Sequence, residues 1–294
     1  MGISSRRAAL KGMLIGGAAA AGATSASATA AAVTPTEEAV GLLYDATLCI
    51  GCKACVSACR EANDLEADPT GLGPNYHAPL DLSERAKTVI KLYAEDGDTS
   101  FMKAQCMHCL DPACTAACML GALKKREFGI VTYDPNLCIG CRYCEIACPY
   151  NVPKFQWTKA APKIVKCELC AHRLKAGLEP ACTEVCPRDA VIFGKRSDLL
   201  REARRRIAAE PSRYLPKVYG ETDGGGTQVL YLSHVPFEKL GLPVLGDLPA
   251  PSKARNVQRS VYHNFVAPLV LYGVLGAVTW RNRRHQALEE EGQR

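Results

Sequence analysis

Sixteen cysteines stand in this chain of 294 residues, and they fall into four groups of four. The first is Cys49, Cys52, Cys55 and Cys59, spaced C-x2-C-x2-C-x3-C. The second, Cys106, Cys109, Cys114 and Cys118, has four residues between its middle pair. The third is Cys138, Cys141, Cys144 and Cys148, and Pro149 completes its ending. The fourth is Cys167, Cys170, Cys182 and Cys186, followed by Pro187, with eleven residues between its middle pair. No cysteine is left over. Three thiolates in one tight loop reach three irons of a cubane cluster; the fourth, a helical turn further on, points away and ligates the other cluster of a pair. The spacing therefore predicts four [4Fe–4S] clusters, held two by two.

Other uses of cysteine fit less well. Structural zinc takes isolated C-x2-C pairs a dozen or more residues apart, and C-x2-C-x2-C does not suit a tetrahedral site. Disulfides occur in exported proteins, but four self-similar groups make a poor disulfide framework. Free buried cysteines would keep no spacing at all.

The segment from Tyr44 to Cys52 returns as Tyr133 to Cys141, with seven of nine positions identical. A repeat of that quality marks a duplicated unit. Short apolar, strand-like runs precede the two copies, at Gly41 to Tyr44 and Ile130 to Tyr133, and similar runs follow the second and fourth groups, at Gly121 to Leu123 and Ala190 to Phe193. The expected fold is α+β, with two duplicated two-cluster ferredoxin-like units. Residues 38–210 would form this four-cluster domain. A polar, turn-rich insert over 63–100 interrupts it, and a loop-rich extension over 211–258 follows, with one strand-like run from Gln228 to Leu232. Ser197 to Ala209 reads as an amphipathic helix capped by Ser197, with Arg201, Arg204, Arg205 and Arg206 on a solvated face.

The ends carry charge of a different kind. The formal net charge is +6, but much of the excess lies in Arg6, Arg7 and Lys11 and in Arg281, Arg283 and Arg284. With few aromatics and no basic face interleaved with them, the chain does not read as a nucleic-acid binder. Ser5 to Lys11 resembles a twin-arginine export signal in which Ala9 replaces the usual aromatic, and Ala26-Ser27-Ala28 offers a cleavage site. Residues 1–30 are therefore expected to be a signal peptide. Residues 261–280 contain no Asp, Glu, Lys or Arg, and their eight strongly apolar residues favour bilayer insertion by roughly 2.5 to 5 kcal/mol before penalties. One transmembrane helix is expected there, anchoring the protein to the lipid bilayer, with 281–294 as a cytoplasmic tail.

Several phrases carry a family likeness: Gln105-Cys106-Met107-His108-Cys109, Cys141-Arg142-Tyr143-Cys144, Cys148 to Lys154, Lys166-Cys167-Glu168-Leu169-Cys170 and Gly225 to Leu230. Their order and spacing resemble the four-cluster electron-transfer subunits of bacterial respiratory oxidoreductases. These include the beta subunits of formate dehydrogenase, dimethyl sulfoxide reductase and polysulfide reductase. The likeness is strongest to the iron–sulfur subunits of membrane-bound, quinone-reactive nickel–iron hydrogenases. It implies that clusters are shared between groups. One would be held by Cys49, Cys52, Cys55 and Cys186, and its partner by Cys167, Cys170, Cys182 and Cys59. A third would be held by Cys106, Cys109, Cys114 and Cys148, and a fourth by Cys138, Cys141, Cys144 and Cys118. Met119 stands where the family has proline, which removes no ligand.

The resemblance implies a wire on the periplasmic face of the cytoplasmic membrane. Electrons from the small and large subunits of a nickel–iron hydrogenase would pass to a multi-spanning membrane subunit that reduces quinone. A molybdenum oxidoreductase is the other candidate for the enzyme served. Lys53, Arg142 and Lys166 adjoin ligands and are candidates to raise a potential; His108, between two ligands, reads as a packing or surface residue. No catalytic acid, base or substrate pocket can be argued, so the chain is expected to catalyse nothing alone.

Overall fold

The computed structural model describes residues 39–66, 80–95, 97–263 and 266–291. The expected leader over 1–30 lies outside them. At the centre stands a three-stranded sheet built from distant parts of the chain: β1 (Val40–Asp45), β8 (Val191–Lys195) and β9 (Val229–Leu232), in the order β8-β1-β9. β1 runs antiparallel to β8, with Leu42 opposite Phe193, and parallel to β9, with Leu42 opposite Val229. The strand-like run of the extension is thus an edge of the central sheet.

Alternation along β1 and β9 gives this sheet two different faces, because successive strand side chains point opposite ways. Leu42, Tyr44, Val229 and Tyr231 pack with Cys55, Cys182, Met107 and Leu169 on the cysteine side. Leu43, Leu230 and Leu232 pack on the other side against Leu199 and Ala203 of a long helix, Arg196–Ala209. That helix begins directly where β8 ends, with Lys195 as its N-cap; Ser197 lies in its first turn and its hydroxyl meets Asp198 instead of capping. Arg206 also departs from the expected solvated face: it turns inward to the carboxylate of Asp45.

Within the expected polar insert a hairpin forms, β2 (Val89–Glu95) and β3 (Asp98–Ala104). Two tyrosines of the central sheet hold it in place. The Tyr44 hydroxyl donates to Phe101 O at 2.8 Å and the Tyr231 hydroxyl to Lys103 O at 2.7 Å. Two further pairs, β4 (Leu123–Lys125) with β5 (Val131–Tyr133) and β6 (Lys154–Phe155) with β7 (Ile164–Val165), frame the third cysteine group.

The expectation of one membrane-spanning helix over 261–280 is corrected. The described helices there are Pro251–His263 and Val266–Glu291, and among the described residues no helix is long and apolar enough to cross a membrane. In the second helix the uncharged stretch ends at Trp280, and Arg281, Arg283 and Arg284 continue the same helix.

Candidate metal centres

Each cysteine group opens on the same local geometry. The second residue after the first cysteine is left-handed in all four loops: Gly51 (φ 70°), His108 (φ 47°), Gly140 (φ 73°) and Leu169 (φ 51°). That conformation turns the residue's N–H back toward the first sulfur. Gly51 N donates to Cys49 Sγ at 3.5 Å, Gly140 N to Cys138 Sγ at 3.4 Å and Leu169 N to Cys167 Sγ at 3.4 Å; a backbone bond from His108 likewise reaches Cys106. The last cysteines are served from four residues ahead, Ala122 N reaching Cys118 Sγ at 3.2 Å and Ala190 N reaching Cys186 Sγ at 3.3 Å. Donors aimed at sulfur favour the thiolate over the thiol. In the two duplicated loops a second left-handed residue, Lys53 (φ 59°) or Arg142 (φ 64°), then starts a helix, Ala54–Glu61 or Tyr143–Ala147. Each helix carries its group's last cysteine or delivers it at its end.

These loops bring the sixteen sulfurs together across groups. One cavity is bordered by Cys49, Cys52, Cys55 and Cys186, a second by Cys59, Cys167, Cys170 and Cys182, and a third by Cys118, Cys138, Cys141 and Cys144. The remaining four form a mutual set, Cys109 interacting with Cys106, Cys148 and Cys114. Neighbouring sets also touch electrostatically in a fixed order. Cys55 faces Cys182, Cys167 faces Cys106, and Cys114 faces Cys144. The four sites therefore stand in single file, and each end site presents one exposed cysteine, Cys52 or Cys141.

The donor sets suit a multi-iron core. All sixteen cysteines are free thiols, so no disulfide competes for them. Among the described residues, no group of three or more His, Cys, Asp or Glu is gathered closely enough to hold a single metal ion; the sulfurs instead surround cavities. Burial above all, with neighbouring sulfurs adding, pushes Cys114 and Cys182 up to about 12 and Cys144 up to about 11. Four buried thiolates oppose one another until a cation satisfies all of them, which couples metal binding to deprotonation and folding.

Two buried lysines interleave with this line of sulfurs. Lys166 is 2% exposed; its ammonium donates to Val131 O and, at 2.8 Å, to Cys167 O, and it opposes the burial that raises Cys106 and Cys114. Lys103 is fully buried. The sequence drew attention to Lys166 through its place beside a ligand, but nothing in Phe101 to Cys106 marks Lys103 as special. Lys53 is half-buried, and Arg142 is exposed and lies over the Trp157 ring at 4.4 Å. His108 is fully buried and packs as expected: its Nδ1 accepts the Val131 N–H at 3.0 Å, and burial, reinforced by Lys166 and Lys125, keeps the ring neutral.

Fold and site define a ferredoxin-type protein of paired [4Fe–4S] clusters, and two family models described as 4Fe-4S dicluster domains match residues 48–122 and 98–196. The hydrogenase-2 operon protein HybA of Escherichia coli is 39% identical over 286 residues, covering 85% of this chain and 87% of HybA. A protein of Nitratidesulfovibrio vulgaris is 42% identical over 265 residues, 86% of this chain and 70% of its own length. The nitrate-inducible formate dehydrogenase iron-sulfur subunit of Escherichia coli is 38% identical over 202 residues, 66% of this chain and 68% of that subunit. The chain belongs to the HybA family of four-cluster iron–sulfur proteins. Its cofactors are four [4Fe–4S] clusters and its function is electron transfer.

Proposed function

We propose that this chain passes electrons between a nickel–iron hydrogenase and a quinone-reactive membrane subunit. The extent of the likeness supports this reading: similarity to HybA covers 85% of the chain, similarity to the formate dehydrogenase subunit 66%. The ligands are the four sets described above, Cys49, Cys52, Cys55 and Cys186 at one end and Cys118, Cys138, Cys141 and Cys144 at the other. Bound clusters supply one-electron relays. The chain's own residues hold the four sites in single file, direct backbone N–H groups at the sulfurs and leave only Cys52 and Cys141 exposed. We further infer export of the folded protein to the periplasmic face by the leader at 1–30, with the hydrogenase large and small subunits as partners there.

A tagged chain isolated anaerobically with its partners tests the assignment. About sixteen irons per chain follow from four cubanes. Co-purifying nickel, together with hydrogen-dependent quinone reduction by membranes that fails when this chain is deleted, is the expected result. A molybdenum-containing partner instead would replace the hydrogenase reading with the oxidoreductase one.

A further inference from the structure

We propose that Lys103 is a shared fixed charge that sets the reduction potentials of two clusters at once, those of the Cys49/Cys52/Cys55/Cys186 site and the Cys59/Cys167/Cys170/Cys182 site. The inference rests on the ligand sets proposed above and deepens them.

The ammonium of Lys103 is fully buried at the end of β3, a strand that two tyrosines fix beneath the central sheet. Its protein partners are neutral. Thr88 Oγ1 accepts one N–H and Gln105 Oε1 accepts another at 2.7 Å. An ammonium has three donors, so one remains beyond these two. No carboxylate forms a salt bridge with Lys103 among the described residues; the groups it meets electrostatically are Cys182, Cys55, Cys59 and Cys167. Cys55 belongs to the first of the two sites and Cys59, Cys167 and Cys182 to the second, and Lys103 itself borders the Cys49/Cys52/Cys55/Cys186 cavity. A buried ammonium without a counter-ion carries a large desolvation cost. Cysteine-ligated sites on both sides of it are the negative charge that offsets that cost.

Gln105 strengthens the arrangement. It is 3% exposed and borders the Cys59/Cys167/Cys170/Cys182 cavity. Its Oε1 is committed to Lys103, and its Nε2 is buried with no partner in the protein. The ammonium thus holds the amide in one orientation while keeping its own charge unpaired. Reduction adds one negative charge to a site, and a fixed positive charge nearby stabilises that state more than the oxidised one. Lys103 therefore raises the potentials of both these sites, which keeps this end of the file able to accept electrons.

The test is a potentiometric titration of the purified holoprotein followed by electron paramagnetic resonance, with iron and acid-labile sulfide measured on the same samples. Lys103→Met removes the charge at similar volume. Gln105→Glu keeps the shape and pairs the ammonium with a carboxylate. At unchanged iron, both variants are expected to lower two of the four potentials and leave two in place. The expected change in the reduced-to-oxidised ratio at fixed potential is tenfold or more, equivalent to about 59 mV for a one-electron couple. Lys103→Arg, which keeps the charge, is expected to restore most of the shift. Full iron with all four potentials unmoved, or all four lowered alike, overturns the proposal. Should Lys103→Met lose its clusters, Gln105→Glu decides by the same criterion. Wild-type protein without about sixteen irons would instead overturn the cluster assignment, a separate result.

Discussion

His108 and Leu169 occupy the same position in two different cysteine loops, left-handed at φ 47° and 51°, where Gly51 and Gly140 stand in the duplicated pair. A residue with a Cβ is strained there by about 1 to 2 kcal/mol. His108 and Leu169 offset that strain by burying their side chains almost completely. The glycine loops have no such compensation, and they differ in the space around them. A Cβ on Gly51 would lie 2.3 Å from Phe101 Cε1, whereas one on Gly140 would meet Phe155 no closer than 3.4 Å.

Gly51→Ala and Gly140→Ala should therefore separate. Both carry the backbone strain, but Gly51→Ala must also displace Phe101, whose carbonyl receives the Tyr44 hydroxyl. Overpacking of that kind costs about 1 to 3 kcal/mol more. Iron per chain, counted after anaerobic purification, should fall by roughly one cluster for Gly51→Ala, four irons in a cubane, and less for Gly140→Ala. Equal losses would show that the contact with Phe101 is irrelevant.

The repeated segments also differ in what their aspartates do. Asp45 and Asp134 make the same turn, each accepting a backbone N–H two residues on at 3.0 Å. Only Asp45 is fully buried, and it also accepts from Arg206 at 3.0 Å and from the Tyr214 hydroxyl at 2.9 Å. Removing one partner of a buried ion pair typically costs 3 to 5 kcal/mol, on the order measured for stranded charges. Asp134→Ala loses a turn bond worth about 0.5 to 1.5 kcal/mol. Chemical denaturation of the two variants should show a clear gap, with Asp45→Ala the less stable; comparable midpoints would remove Arg206 from the account.

The cysteine sets were legible in the sequence because thiolate spacing is dictated by the cluster and survives any surrounding fold. The three strands of the central sheet were legible too, as apolar runs at Gly41, Ala190 and Gln228. The hairpin Val89–Ala104 was not. Its burial comes from Tyr44, Tyr231 and the cysteine sites above it, and a fully buried lysine in β3 defeats any hydrophobic pattern. Arg206 was hidden for a similar reason: four arginines crowd between Arg201 and Arg206, and the carboxylate that selects one of them is 161 residues away. The cap at Ser197 failed because β8 passes straight into the helix and leaves no turn for a capping side chain.

Acid should weaken that helix through Glu202. Its Oε2 receives the Arg205 Nε at 2.7 Å and its Oε1 the Arg206 Nε at 2.8 Å. Arg205 first, and Arg206 with it, hold the carboxylate down at about 2 against an opposing burial effect. An unfolded glutamate titrates near 4.3, about its model-peptide value. A pKa depressed on folding contributes stability that is complete above the unfolded value and disappears as pH falls through the folded one. Glu202→Gln should thus be less stable than wild type at neutral pH, and the gap should narrow steadily below about pH 4, the range set by that unfolded value. Guanidinium midpoints followed by circular dichroism at several pH values read this out, and a gap independent of pH would rule out the carboxylate's charge as its source.

Sharing of ligands between motifs makes a prediction about pairs of substitutions. Cys114 and Cys118 belong to one motif, yet Cys114 stands with Cys106, Cys109 and Cys148, and Cys118 borders the cavity of Cys138, Cys141 and Cys144. Two losses at one site act as a unit, while losses at separate sites add. Cys114→Ser with Cys148→Ser should cost no more iron than either change alone, roughly one cubane's worth, although the residues lie in different motifs. Cys114→Ser with Cys118→Ser should cost about twice that, although they lie four residues apart. Reduced-state electron paramagnetic resonance should show the same division, one cluster signal missing in the first double variant and two in the second. If the first double variant loses two clusters and the second only one, each motif keeps its own four sulfurs, and the exchange of the fourth cysteine between paired sites is wrong.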